Sequence, residues 1–424
     1  MPMLDLKIEG AQVFDGTGAP GARTDVGVRD EHIVAVGDLS REHAGRSLNA
    51  SGKALAPGFI DMHSHSDWRL WENRRAESKI RQGVTTEVVG NCGFSPAPVS
   101  PEFLDELRGF ALHVPAGMDF GWRSFGAYLD ALDADGLALN VAHLVGHGTL
   151  RIAAMGFARR APTASELATM RALLAAAMED GAFGLSTGLI YAPGSYSETA
   201  EIVDVARAAA RHRGFYASHM RGEGATLLTA VAEAITVGRE AEMPVQISHL
   251  KAAGRPNWGR VADALLDVLV DEGGRGSVIL FQMDEEDFRR ALAHPAVMVG
   301  SDGSSLAPTG PMAASKPHPR SYGTFPRVLG EYARQQRTVT LPHAVHKMTG
   351  LPARRLGLAD RGVIRVGARA DLVVFDPRRV IDVATYDDPH RYPTGIEHVV
   401  VSGRFVIRDG EHTGNLPGRV LRHQ

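Results

Sequence analysis

The chain has 424 residues, 44% of them hydrophobic and 22% charged, with a net charge of -3 at neutral pH. This is ordinary globular composition. It leaves no basic footprint for nucleic acid or an anionic membrane surface, and no stretch reaches the roughly 18 apolar residues of a membrane helix. A single cysteine excludes an internal disulfide and suits a reducing, cytoplasmic setting; the opening "MPMLDLKIEG" has neither the basic nor the apolar region of a signal peptide.

The first elements in the chain are short strands. "LDLKIEGAQVFD" and "TDVGVRDEHIVAVGD" alternate apolar and polar residues around the turn cluster "GTGAPGAR", and the C-terminal stretches "GARADLVVFD" and "IEHVVVSGRFVIRDG" repeat the style. The two ends are expected to pair into one small composite β-sandwich, from residues 1–56 and 350–424. Between them, strand-like runs alternate with amphipathic helices. The runs are "PGFIDMHSHSD" (57–67), "TTEVVGNCG" (85–93), "LALNVAHLVGHG" (137–148), "GAFGLSTGLIYAPG" (181–194), "GFYASHMRGEG" (214–224), "MPVQISHLKAAG" (243–254), "SVILFQM" (277–283) and "AVMVGSDG" (296–303). One helix, "TASELATMRALLAAAMEDG", has Thr163 as its expected N-cap and Gly181 as its stop. Eight strands alternating with helices predict an α/β fold with a (β/α)8 TIM-like barrel over 57–349, shortened between 254 and 277.

Functional residues of such barrels come from the C-terminal ends of the strands. His63 and His65 form an H-x-H pair at the first strand end, where residues two apart share a face. Cys92 ends the second strand, His219 the fifth, His249 the sixth and Asp302 the eighth. A lone histidine in such a place is more often structural, and a lone buried cysteine is more often core filling. Six N, S and O donors repeating one placement point instead to a metal centre, and thiolate with imidazole suits zinc.

With these residues in view, the chain resembles a known family. "GFIDMHSHSD" is similar to the signature strand of the amidohydrolase superfamily, and "GNCGFSPAP", "YASHMRGEG", "ISHLKAAG" and "GSDG" together resemble its N-acyl-D-amino-acid deacylases, the D-aminoacylases. The resemblance runs over residues about 5 to 420. It implies that Cys92, His219 and His249 surround a tightly held Zn2+, that His63 and His65 serve a second, weaker metal position, and that Asp302 lies at the catalytic water. Zinc lowers the pKa of a coordinated water toward ~7, and a neighbouring carboxylate can take its proton and return it to the leaving amine. The implied reaction is hydrolysis of a small-molecule N-acyl-D-amino acid to a carboxylate and a free D-amino acid.

Lys251, two residues after His249, and Tyr191 are supported by the resemblance as holders of the substrate α-carboxylate. Arg221 has two open readings, the same role or pairing with Glu223 to order its loop. His147 is read as a substrate contact or a supporting hydrogen-bonding residue, and Asp67 as orienting a ligand imidazole or as a solvated loop residue. The stretch "KPHPRSYGTFPR" (316–327) is expected to fold over the mouth of the site, with a plain loop as the alternative. The sequence departs from the family between His249 and Asp302, where a step of only 53 positions replaces a longer stretch with a covering insertion, and "SVILFQM" is left to fill the seventh strand. Two rivals stay open: hydrolysis of a cyclic amide or dipeptide, which Cys92 argues against, and a metal-retaining pseudoenzyme with an incomplete pocket.

Overall fold

The computed structural model describes residues 3–111, 113–250, 253 and 285–424. Both chain ends meet in one nine-stranded sheet. Strands β1 (Leu4–Val13), β2 (Ala22–Arg29), β3 (His32–Gly37), β4 (Ala44–Asn49) and β5 (Ala54–Pro57) come from the N-terminal end. The run along the sheet is β3, β2, β1, β5, with β4 paired to β1. β5 then pairs antiparallel with Leu372–Phe375, Leu372 opposite Pro57 and Val374 opposite Leu55. Ile396–Val401, Arg404–Arg408 and Glu411–His412 continue the sheet outward. The alternation read in the sequence is visible in β1, where Leu6, Ile8 and Val26 opposite it are buried in one apolar cluster with Leu55 and Leu372.

The middle of the chain is parallel. β6 (Phe59–Asp61), β7 (Val84–Val89) and β8 (Asn140–His143) form one parallel sheet. β9 (Val145–Gly146), β10 (Gly184–Gly188), β11 (Phe215–His219) and β12 (Val245–Ile247) form another. Only Leu144 separates β8 from β9, so six successive sequence-predicted runs stand side by side in chain order. Neighbours such as Phe59 and Ile60, or Val88 and Val89, fall in different apolar clusters. Both faces of β6 to β11 are therefore buried, as parallel sheets require, while β12 is half-buried, and each fully buried Val, Leu or Phe contributes roughly 1.5–3 kcal/mol.

Helices Phe125–Asp133, His147–Met155, Ala164–Glu179, Thr199–Ala210 and Leu227–Glu240 link the strands. Thr163 caps Ala164–Glu179 in a reciprocal capping box with Glu166, and Gly181 just beyond takes φ +108. No helix among the described residues is long and apolar enough to cross a membrane.

Three expectations need amending. The eighth run makes no regular strand: Val299 and Gly303 touch β6 and the residues after it through Met62 N to Val299 O at 3.4 Å and a bridge from Ser64 to Gly303. Asp302 between them has φ +49, which breaks the extended ladder. The helix Gly350–Leu356 packs Ala353 and Leu356 with Ile60 and Met62 in the cluster of the parallel strands. The C-terminal tail leaves the large sheet and runs along β8, with Leu421 N on Val141 O at 2.7 Å. "SVILFQM", the expected seventh strand, lies outside the described residues, as does the shortened stretch 254–277.

Candidate metal centre

His63, His65, Cys92, His219 and His249 sit at or just beyond the end of a strand, and Asp302 lies in the turn between Val299 and Gly303. β7 ends at Val89, and Gly90 (φ +78), Asn91 and Cys92 (φ +55) reverse the chain. A side chain at Gly90 would put its Cβ 2.0 Å from the carbonyl of Leu144, so only glycine fits there. Asp67 Oδ1 accepts from Gly90 N at 2.6 Å, and Asn91 Nδ2 donates to Val88 O at 2.8 Å. The same left-handed conformation recurs at His249 (φ +34) and Asp302 (φ +49). Backbone held in this region costs about 1–2 kcal/mol per non-glycine residue, and such strain gathers at functional sites.

The six donors predicted from the sequence converge. The ligand atoms of His63, His65 and Cys92 lie within 4.8 Å of one another, and so do those of Cys92, His219 and His249. The Cys92 sulfur belongs to both groups. Its Sγ is 3.3 Å from His63 Nε2 and 3.6 Å from His249 Nε2. Asp302 Oδ1 lies 3.2 Å from His65 Nε2 and 3.5 Å from His63 Nε2. The imidazoles stack edge to face, with His219 and His249 centroids 4.2 Å apart.

Burial works against a charged thiolate, but the His63 charge and hydrogen bonds from His219, His249 and His63 hold the Cys92 thiol well below its usual range. Burial likewise opposes an ionised Asp302, and His65, His63 and Arg320 overcome it, so this carboxyl also titrates well below normal. His65 is pushed well above its usual range: burial lowers it, and Asp302 and Cys92 more than compensate.

These residues fit a zinc ion. Zn–S of about 2.3 Å and Zn–N of about 2.0–2.1 Å in a tetrahedron place S and N about 3.6 Å apart, and the Cys92–His249 separation is 3.6 Å. His63 Nδ1, His65 Nδ1 and His219 Nε2 are buried without a hydrogen-bond partner among the described residues. Glu223 Oε1 sits 2.9 Å from His249 Nδ1 and 3.7 Å from His219 Nε2. A carboxylate there fixes the His249 tautomer and leaves Nε2 facing the sulfur.

The other sequence-predicted residues separate. Tyr191 is at the rim, its hydroxyl donating to Cys92 O at 2.5 Å and its ring 5.2 Å from that of His219. Burial first, and then the Cys92 charge, push its phenol well above the usual range. Arg221 pairs with Glu233 at 2.9 Å and donates to Ser197 O at 2.8 Å. Of the two readings, the ion pair is the one present, with Glu233 in place of Glu223 as the partner. His147 is fully buried with Nε2 3.1 Å from Glu201 Oε1. Asp67 is buried, not solvated, and burial raises its carboxyl to about 6. Lys251 lies outside the described residues.

Sequence reasoning passed over two groups. Arg320, inside the 316–327 stretch, places a guanidinium nitrogen 2.8 Å from Asp302 Oδ2. Glu223 was seen only as an ion partner, although its place four residues after His219 in "HMRGE" was the available signal.

Comparison with known proteins places the chain in a family. The amidohydrolase family model matches residues 46–286 and 261–407. A D-aminoacylase of Alcaligenes xylosoxydans xylosoxydans is 40% identical, covering 98% of this chain and 97% of its own length. The chain belongs to the amidohydrolase family, in its N-acyl-D-amino-acid deacylase branch. That alignment spans 484 positions, longer than the chain, so part of the relative has no counterpart here. A crystal structure of a D-aminoacylase superposes with TM-score 0.88 at 39% identity, covering 99% of this chain and 100% of that one. An N-acyl-D-glutamate deacylase of Bordetella bronchiseptica, complexed with zinc and a phosphonate that mimics the tetrahedral intermediate, gives TM-score 0.85 at 37% identity, covering 99% and 100%. The TIM-barrel-like α/β architecture follows from these neighbours.

Proposed function

We propose that this protein is a zinc-dependent deacylase that hydrolyses the amide bond of N-acyl-D-amino acids, releasing a carboxylate and a free D-amino acid. The observation that carries the reading is the Cys92 sulfur shared by two donor groups, with the ionised Asp302 carboxylate on the same histidines. The relatives' activity on D-configured substrates supports the same assignment.

Cys92, His219 and His249 would hold the tightly bound zinc, and His63 and His65 with Asp302 a weaker second position. A bound zinc supplies Lewis acidity that polarises the amide carbonyl and makes water acidic near neutral pH. Asp302, ionised at neutral pH, takes the proton from the attacking water and returns it to the leaving nitrogen. Arg320 holds the second oxygen of that carboxylate, so Oδ1 stays turned toward His65. Tyr191 remains protonated, and its O–H would turn from Cys92 O to reach a substrate carboxylate at the rim. Lys251 is assigned to the substrate α-carboxylate on its position two residues after His249. Arg221 and His147 act behind the site, through Glu233 and Glu201.

The architecture we infer is a (β/α)8-like barrel that begins at residue 57 and is packed by the helix Gly350–Leu356 and the C-terminal tail, with a composite β-sandwich built from the strands of both chain ends. The six adjacent parallel strands and the return of Gly303 to Ser64 support barrel closure. The shared thiolate and the lack of any disulfide suit the cytoplasm. The test is a paired assay of D- and L-enantiomers of several N-acetyl amino acids, with metal analysis on the same sample. Turnover of D-enantiomers with at least one bound zinc is expected. Turnover restricted to L-enantiomers or cyclic amides would overturn the assignment, and bound metal without turnover of any amide would make the protein a pseudoenzyme.

A further inference from the structure

Below the H-x-H pair lies a charged cluster with no access to solvent. Lys79, from the short helix Glu77–Ile80, is fully buried, as are Asp61 and Glu87. Its Nζ lies 2.6 Å from Asp61 Oδ2, 3.2 Å from Glu87 Oε1 and 2.6 Å from Ser301 Oγ. Burial alone would lower the lysine's pKa, but the two carboxylates raise it, so the ammonium persists. A buried ion cluster of this kind is weak evidence for stability, because desolvation offsets the attraction. Its geometry has a direction, however.

Every member touches a residue that frames Asp302. Asp61 Oδ1 accepts from His63 N at 3.2 Å and from Ser301 N at 2.9 Å. Ser301 Oγ donates to Asp61 Oδ2 at 2.6 Å and accepts from Gly303 N at 3.0 Å. Ser64 Oγ reaches both Glu87 Oε1, at 2.8 Å, and Gly303 O, at 3.1 Å. The residue so enclosed is Asp302, whose N–H donates to His63 O at 2.8 Å and whose φ of +49 is unfavourable for a non-glycine residue. A strained turn persists only where its surroundings over-determine it.

We propose that Lys79 is a positioning residue: with Asp61, Glu87 and Ser301 it clamps the Ser301–Asp302–Gly303 turn against β6, so that the Asp302 carboxylate meets His63 and His65. The inference rests on the catalytic assignment of Asp302 for its kinetic consequence, but not for its structural one. Lys79 touches no reacting atom. Its signal in the sequence is nil, since one lysine in "ESKIRQG" reads as a solvated helix residue.

The test compares Lys79→Met with wild type, and Ser301→Ala as a smaller change that removes the joint between the cluster and the turn. Native-state hydrogen exchange of metal-free protein is read by mass spectrometry on peptides spanning 299–304 and on control peptides from β10 and β11. Exchange in the turn should accelerate by about 10-fold or more while the controls match wild type, and kcat for the D-substrate should fall about 10–100-fold with KM within about twofold, the range seen for residues that orient a metal site. If Lys79→Met does not fold, Ser301→Ala alone decides. A folded variant with unaltered exchange in the turn, or with wild-type kcat in an active enzyme, overturns the proposal. Equal acceleration in the control peptides also overturns it, since the cluster would then support the fold generally. Wild-type protein without amide turnover sinks the deacylase reading instead, and the exchange measurement still decides the role of Lys79.

Discussion

Replacing Cys92 by alanine and by glycine separates the two things this residue does. Both changes remove a donor shared by two groups of ligands. Zinc held by three or four protein donors at about 10–16 kcal/mol implies roughly 3 kcal/mol or more per ligand, so zinc affinity should fall about 10²-fold or more in either variant. The backbone at this position, with φ +55, distinguishes them. Alanine inherits the left-handed strain of about 1–2 kcal/mol, and glycine does not. Glycine also carries a larger unfolded-state entropy, which returns about 0.4–1 kcal/mol of that gain. The net expectation is that Cys92→Gly is about 1 kcal/mol more stable than Cys92→Ala, the reverse of the usual order. Urea unfolding of both proteins in excess chelator measures the difference without the stabilisation that bound metal adds. Zinc retention is measured on the same preparations by dialysis against graded chelator and elemental analysis. A glycine variant less stable than the alanine variant would refute the strain argument, and full zinc retention in either would return Cys92 to a core-filling role.

Asp302→Asn should lower kcat by about 10² or more with little change in KM, as loss of a general acid–base does; a change in KM alone would make Asp302 a binding residue. Glu201 is nearly inaccessible and beside His147 and Arg151; burial opposes its ionised form, yet these partners lower its pKa from 4.5 to about 2. A depressed carboxyl stabilises the fold above its unfolded pKa, so about 2 kcal/mol, allowing for partial screening, should be present above pH ~4.5 and disappear as pH falls toward ~2. The urea midpoints of wild type and Glu201→Gln should accordingly differ at pH 7 and converge in acid, and a constant difference would count against the ion pair. Lys251→Met should slow turnover of the free acid far more than that of the corresponding neutral amide, and equal slowing of both would remove Lys251 from carboxylate recognition.

The convergence of the six candidate donors was legible in the sequence because its logic is local. An H-x-H spacing on a strand presents two rings to one side, and a donor at the end of each successive strand converges if the strands are parallel. Alternation in "LDLKIEG" and the Thr163 cap likewise depend on neighbours a few residues away, and both appear as expected. The reading of Arg221 was open between the substrate carboxylate and a pair with Glu223, and Glu233 was not foreseen, because only packing of the helix Leu227–Glu240 brings it to the guanidinium. His147 looked like a rim residue for a similar reason. Its strand ends near the others, but the chain turns directly into the helix His147–Met155 and buries the ring against Glu201.

Tertiary structure alone decided the parts of the site built from long-range contacts. Lys79 meets Ser301 across 222 positions, and no periodicity in either segment encodes that approach. The left-handed turns at Cys92, His249 and Asp302 place non-glycine residues in a region that only a few per cent of them occupy, so no local signal in the sequence announces them. They exist because the surrounding hydrogen bonds and charges hold them. The identities of the donors are written in the chain, residue by residue, whereas their fixed orientation is a property of distant groups packed without water between them, where unpaired charge is too costly to leave and each contact constrains the next.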